Sequence, residues 1–181
     1  SFLQFCRAQC DKRGIPFIVD DVVLGFRVAL GGSPELYGVK PDIVVLGKAM
    51  SAAGGVAAVL GDAKIINQLN AGVFYSTTFG GNAGPCAVAA ATLNWLLENQ
   101  TSVYSSQWGE HRGGHLRVIG QSLKDGLNAV FTEQGRAGRV VGQPERSILV
   151  FDGGKEVRRA WCGEMIARGF MLDRPQYAAL A

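Results

Sequence analysis

The fold is decided by a short apolar run that is closed by two carboxylates, Pro16-Phe17-Ile18-Val19-Asp20-Asp21. A wholly apolar run of this length is typical of a buried parallel strand. A second run, Ile43-Val44-Val45-Leu46, ends in Gly47-Lys48, and a third covers residues 56–60. Because helical patterns alternate with these runs, the sequence predicts an α/β fold.

Three helical segments surround the strands of the first half. Residues 2–13 predict an amphipathic helix that ends at Gly14. Residues 63–69 predict a short helix, and the alanine-rich residues 84–98 predict a longer one. The predicted buried positions of the longer helix are Val88, Leu93, Trp95 and Leu96.

A polar segment at residues 99–107 predicts a boundary, so we divide the chain into residues 1–104 and 105–181. After it, an apolar helical stripe is expected to be core: Leu116, Ile119, Leu123, Leu127 and Val130. Strands are predicted at 139–142, 147–152 and 170–172, with a helix at 156–168.

Composition excludes several classes of protein. The chain has 181 residues, 25 glycines and a net charge of +3, without a basic stripe or an apolar run of the ~20 residues that a membrane helix needs. We therefore expect no nucleic-acid or membrane partner. The cysteines, Cys6, Cys10, Cys86 and Cys162, are predicted to be reduced and packed in a cytoplasmic protein. His111 and His115 lack an obvious third ligand, so we expect no metal.

Polar groups at the ends of the apolar runs are the candidate chemistry. Asp20 ends the first strand and Lys48 follows the second, where ligands bind in open α/β sheets. One interpretation is a salt bridge or two solvated loop residues. The other is pyridoxal phosphate chemistry, in which a lysine forms a Schiff base and a carboxylate holds the pyridine nitrogen protonated. Residues 75–82 (Tyr-Ser-Thr-Thr-Phe-Gly-Gly-Asn) are either an anion cradle or an ordinary turn with a helix cap.

Three segments carry a family resemblance. Residues 18–27, Ile-Val-Asp-Asp-Val-Val-Leu-Gly-Phe-Arg, resemble the "hydrophobic-D-E-V-x-x-G-F-R" segment of class III pyridoxal-phosphate aminotransferases. Residues 41–48 resemble their "P-D-x-x-x-x-G-K" segment, and residues 78–82 resemble their "T-F-x-G-N" segment. Residues 26–32 and 37–39 look most similar to the glutamate-1-semialdehyde 2,1-aminomutase branch.

The resemblance implies a fold of the PLP-dependent transferase type I. Residues 1–104 would be the later part of the PLP-binding large domain, and residues 105–181 an incomplete α+β small domain. The implied activity is transfer of an amino group between an amino compound and an aldehyde or keto carbon, as an aminotransferase or a 2,1-aminomutase, through a lysine Schiff base with pyridoxal 5'-phosphate.

The resemblance also implies residue roles. Lys48 would form the Schiff base and carry the substrate proton, and Asp20 would pair with the pyridinium nitrogen. Val22 would pack on the ring face. Thr78 would bind the phosphate of the neighbouring subunit's cofactor, which implies a homodimer.

Departures from the family pattern keep a second hypothesis open. Asp21 stands where the family usually has glutamate, a departure that bears on substrate preference more than on cofactor use. Family chains are about twice this length, so we expect the 181 residues alone to be inactive. This length and Ala52-Ala53, which replace part of a more glycine-rich stretch, favour the second hypothesis slightly. The alternative is a non-catalytic α/β binding or dimerisation module that retains the fold. A nucleotide-binding domain is a third possibility, disfavoured because the glycine fingerprints are missing.

Overall fold

The computed structural model describes residues 1–75, 77–104, 114–135, 138–170 and 176–177. The chain divides into two compact units, Ser1–Gln100 and Thr101–Ala181. The assignment of residues 1–104 and 105–181 to a large and a small domain stays a prediction.

The first unit begins with helix α1, Phe2–Arg13, as predicted. Its start is fixed by a capping box, because the Ser1 hydroxyl accepts from the Gln4 amide while the Gln4 side chain accepts from the Ser1 amino group. The helix ends at Gly14. The inner face of α1 packs through Leu3, Cys6 and Cys10 on a core of Phe17, Val19 and Val39.

Three strands form the sheet of this unit in the order β1, β2, β3. Strands β1, Ile18–Asp20, and β2, Ile43–Leu46, are parallel, and they confirm the first two predicted runs. Strand β3, Ala58–Gly61, lies two residues later than the predicted start of the third run and is antiparallel to β2. The carboxyl ends of β1 and β2 therefore lie at the same edge of the sheet.

Three helices complete the unit: α2, Gly32–Leu36; α3, Ala63–Ile66; and α4, Ala83–Glu98. A 3-10 turn at Asn67–Ala71 extends α3, so the predicted helix at 63–69 is split. The prediction of four buried residues on α4 is partly wrong, because Val88 and Trp95 are 37% and 49% exposed while Leu96 is buried. Because α4 is apolar on most of its sides, the spacing of its apolar residues does not show which side faces the core.

The second unit packs helices on an antiparallel sheet. The helices on the sheet are α6, His115–Glu133, and α7, Gly154–Ala167. A short helix, α5, Gln100–Tyr104, precedes them and begins at the last residue of the first unit. The strands of the sheet, in sheet order, are β4, Gly138–Gln143; β5, Arg146–Phe151; and β6, Gln176–Tyr177. Helix α5 overlaps the segment that was predicted to be a boundary. Of the strand predicted at 170–172, Phe170 is not in a strand, and residues 171–172 lie outside the described residues.

The apolar stripe predicted for α6 is only partly core. Leu116 is buried, whereas Ile119, Leu123 and Val130 are 42%, 41% and 53% exposed. The close contact of α6 is made by Gly120, where an added Cβ would lie 2.1 Å from the Pro144 carbonyl oxygen.

Two predictions from composition can be compared with the structure. Within the described ranges, no helix is both long and apolar enough to span a bilayer. All four cysteines are free, but the expectation that all are packed is wrong for Cys86, which is exposed.

Candidate active site

The candidate site lies at the carboxyl ends of β1 and β2. Asp20 pairs in register with Val45, and the Asp21 amide continues the pairing by donating to the Val45 carbonyl at 2.9 Å. Lys48 follows β2 by two residues. The parallel pairing therefore brings Asp20 and Lys48 to one edge of the sheet, and both side chains are exposed.

Strand alternation determines the direction of Asp20. Val19 is buried in the core beneath α1, so Ile18 and Asp20 lie on the opposite face of β1. The Asp20 Oδ1 accepts from the Val22 amide at 3.1 Å, which fixes the carboxylate against its own turn. Its remaining lone pairs face solvent and are available to an external donor.

Lys48 has an unusual backbone. Its φ is +46°, in the left-handed region, and it begins a 3-10 turn, Lys48–Met50. A residue with a Cβ in this region carries about 1 to 3 kcal/mol of strain, and such strain is concentrated at functional sites. Within the described part of the chain, the Lys48 Nζ makes no hydrogen bond or ion pair. The Lys48 side chain therefore starts from a fixed backbone, and its amine has no ion-pair partner among the described residues.

Val22 lies between the two polar groups along the chain and is half-buried. An added Cβ on Gly47 would lie 3.4 Å from Val22 Cγ1, so the valine packs beside the residue that precedes Lys48. The structure thus brings together Asp20, Val22 and Lys48, three of the four residues predicted from the sequence.

Thr78, the fourth predicted residue, lies elsewhere in the same unit. It lines a cavity of about 610 Å³ together with Thr77, Gly80 and Asn82, next to the start of α4. Asn82 caps that helix by accepting from the Gly84 amide. Neither Asp20 nor Lys48 lines this cavity.

Helix α4 also packs against the segment that follows Lys48. An added Cβ on Gly54 would lie 2.9 Å from the Pro85 Cα, and the Ala52 amide approaches the Thr92 Oγ1 at 3.4 Å. The segment that follows the 3-10 turn at Lys48 therefore packs on α4, and this contact limits the movement of the turn.

Asp21 is the residue whose place the sequence did not reveal. Its side chain is only 1% exposed, and its two carboxylate oxygens accept from the Ser33 amide at 2.9 Å and the Ser33 Oγ at 2.6 Å. The only sequence signal was the unusual Asp-Asp pair followed by Gly31-Gly32-Ser33. Two adjacent aspartates thus have opposite environments.

Comparison with known proteins identifies the family. The sequence model described as aminotransferase class-III matches residues 1–141 of this chain. The chain belongs to the class III aminotransferases.

Curated relatives of this class III chain include glutamate-1-semialdehyde 2,1-aminomutases. It is 37% identical over 107 residues to a glutamate-1-semialdehyde 2,1-aminomutase of Nitrosopumilus maritimus, covering 58% of this chain and 25% of the relative. It is 38% identical over 153 residues to the enzyme of the same name from Rhodopirellula baltica, covering 83% of this chain and 32% of the relative. The chain thus spans about a quarter to a third of the length of these curated relatives.

Solved structures share the fold of this class III chain. One is the FumI protein of Sphingopyxis sp. MTA144 in its PLP internal aldimine form, with a TM-score of 0.81 and 25% identity over 98% of this chain and 41% of that one. Another is an acetylornithine aminotransferase from Elizabethkingia anophelis, with a TM-score of 0.75 and 24% identity over 98% of this chain and 43% of that one. These confirm the predicted α/β fold of PLP-dependent transferase type I.

Proposed function

We propose that the protein containing this chain transfers an amino group between an amino compound and an aldehyde or keto carbon, using pyridoxal 5'-phosphate. It would act as an aminotransferase or as a 2,1-aminomutase of the glutamate-1-semialdehyde type. The observation that carries the proposal is the placement of Asp20 and Lys48 at neighbouring ends of parallel strands in a class III chain.

The residues at this edge fit the cofactor chemically. When bound, pyridoxal phosphate withdraws electrons from the substrate carbon that carries the amino group. An unpaired amine suits the aldehyde, an exposed carboxylate suits the ring nitrogen, and an apolar side chain at the same edge suits the ring face. The site supplies these groups as Lys48, Asp20 and Val22.

Each residue would then have one task. The Lys48 Nζ would hold the cofactor and afterwards carry the substrate proton, because an amine can act first as nucleophile and then as base. The Asp20 carboxylate would accept a hydrogen bond from the protonated ring nitrogen and so preserve its charge. Val22 would exclude water from one face of the ring.

Borohydride labelling tests the proposal directly. In the full-length protein loaded with pyridoxal phosphate, reduction should fix the cofactor on a peptide that contains Lys48. Lys64, which is also exposed, provides a matched control variant, and K64A should label as the wild type does. A protein without any label would contradict the enzymatic proposal and favour the non-catalytic binding module. A label on Lys64 would show that Lys64, and not Lys48, binds the cofactor.

Thr78 would complete the site of the neighbouring subunit in a homodimer, where its hydroxyl would bind the cofactor phosphate. This role is supported by the exposure of Thr78 and by a cavity that is lined by neither Asp20 nor Lys48.

The domain assignment and the location are also part of the proposal. Residues 1–104 would belong to the large domain and 105–181 to the small one. Free cysteines suit a cytoplasmic location.

Mixed dimers distinguish a shared site from a site within one subunit. In a dimer of one K48A and one T78A subunit, a shared arrangement puts both changes in one site and leaves the other site unchanged. We therefore expect about half of the wild-type turnover. If each subunit supplied its own Thr78, both sites of the mixed dimer would carry a substitution, and its turnover would fall far below half of the wild-type value.

A further inference from the structure

We propose that Asp21 and Ser33 are positioning residues that hold Asp20 and Val22 in place for the cofactor ring. This inference rests on the proposed function. Its evidence is a buried contact between two segments, the turn after β1 and the start of α2, that meet around one carboxylate.

The contact uses both oxygens of a single side chain. The Ser33 amide donates to Asp21 Oδ2 and the Ser33 hydroxyl donates to Oδ1, and both residues are almost fully buried, at 1% and 4% exposure. Hydrogen bonds to a carboxylate are stronger than bonds between neutral groups, and burial strengthens them further. The carboxylate therefore has a fixed direction.

Two glycines leave space for this carboxylate. An added Cβ on Gly32 would lie 1.9 Å from Asp21 Oδ2, and one on Gly25 would lie 2.8 Å from the Asp21 carbonyl oxygen. The Gly25 amide donates to that same carbonyl at 2.7 Å. The loop between residues 25 and 33 thus closes on Asp21, with no room for a side chain at residue 25 or residue 32.

Fixing Asp21 also fixes its neighbours, because they share its peptide bonds. On one side Asp20 presents its carboxylate to solvent, and on the other Val22 donates its amide to that carboxylate. A displacement of about 1 Å at a reacting group can lower a rate by about a hundredfold. Asp21 would thus act on the cofactor only through Asp20 and Val22.

The test compares S33A and D21N with a matched control in the full-length protein loaded with pyridoxal phosphate. S33A removes one hydroxyl donor and leaves the Ser33 amide bond in place. The control is D42N, because Asp42 also accepts from a backbone amide and a side chain, at the opposite ends of β1 and β2. Three readouts are measured: the pH midpoint of the visible absorbance of the lysine-bound cofactor, the cofactor Kd, and Tm.

We expect S33A and D21N to move the pH midpoint in the same direction as D20N, and to weaken cofactor binding by about tenfold. D42N should lower Tm without moving the midpoint. If S33A and D21N lower Tm but leave the midpoint at the wild-type value, Asp21 is only a structural residue and the inference is wrong. If D21N does not fold, S33A decides the matter.

The same experiment separates this inference from the proposed function. A wild-type protein that forms no adduct on Lys48 contradicts the proposed function, and the positioning role falls with it. A normal wild-type adduct with an unmoved midpoint in S33A contradicts the positioning role alone.

Discussion

The two ends of the β1–β2 pair carry the same kinds of side chain in opposite circumstances. At the amino end of β2, Asp42 Oδ2 accepts from the Phe17 amide at 2.7 Å and from Arg7 Nη1 at 2.6 Å. At the carboxyl end of β1, Asp20 is exposed and its described bond is to its own turn. The first carboxylate is used by the fold, and the second remains available to a ligand.

The cations at the two ends differ in the same way. Arg7 bonds Asp11 and Asp42 and stacks over the Phe17 ring, with its side chain only 19% exposed. Lys48 is exposed, and its backbone is left-handed. Stability and chemistry are thus separated along the same two strands.

The largest effect is expected from K48A. Because Lys48 is the only lysine in the described segments that follow β1 and β2, residues 21–31 and 47–57, turnover of the full-length protein should fall by about four orders of magnitude or more. Steady-state kinetics and the visible absorbance of bound cofactor measure this. K64A, at a lysine outside these strands, should retain both; turnover in K48A that remains within tenfold of the wild type would contradict the assignment.

The next effect is expected from D20N. An amide cannot supply the negative charge that keeps a ring nitrogen protonated, so turnover should fall by about a hundredfold while the cofactor stays bound. Measuring kcat beside a cofactor titration separates the two effects. D42N at the opposite end should leave kcat near the wild-type value, and equal losses in both variants would remove the contrast between the ends.

A third comparison concerns two glycines that share a left-handed backbone. Gly32 has a φ of +69° and a Cβ there would collide with Asp21 Oδ2, whereas Gly38 has a φ of +61° and open space. G38A should destabilise by the strain alone, about 1 kcal/mol, and G32A by a further 1 to 3 kcal/mol. Thermal unfolding of the two variants measures the difference. Equal losses of stability in G38A and G32A would show that the Asp21 side chain moves aside at little energetic cost.

The sequence predicted the sheet edge because apolar runs and their ends are local features. Ile43–Leu46 is a continuous apolar run and can therefore be recognised in the sequence, and the polar residues after it follow directly. The direction of β3 was not predicted, because the chain reversal depends on a loop rather than on the strand residues.

The rest of the site depends on contacts between distant residues. Asp21 and Asp20 are adjacent and chemically identical, and the hydrogen bonds that occupy the Asp21 carboxylate come from Ser33, twelve residues later. The left-handed φ of Lys48 is likewise set by its surroundings, since lysine itself disfavours that region. Roles assigned to Lys48, Asp20, Val22 and Thr78 stay predictions until the variants are measured.

The smallest expected effect concerns acid stability at the Asp42 end. The Phe17 amide and the Arg7 guanidinium favour the ionised carboxylate and lower the pKa of Asp42 below its ordinary value. A carboxyl with a lowered folded pKa stabilises the fold above its unfolded pKa of about 3.9, and that stability is lost as the pH falls through the folded pKa.

D42N should therefore have a lower Tm than the wild type near neutral pH, because asparagine keeps an acceptor oxygen but lacks the negative charge that pairs with Arg7. The gap between the two proteins should stay constant above about pH 5 and narrow as the pH falls below the unfolded pKa of about 3.9 and through the lowered folded pKa, since the wild-type carboxylate takes up a proton there while asparagine does not titrate. Thermal unfolding across this range measures the gap. A gap that stays constant with pH would mean that the charge of Asp42 does not stabilise this end of the sheet, and that the two ends differ in shape rather than in electrostatics.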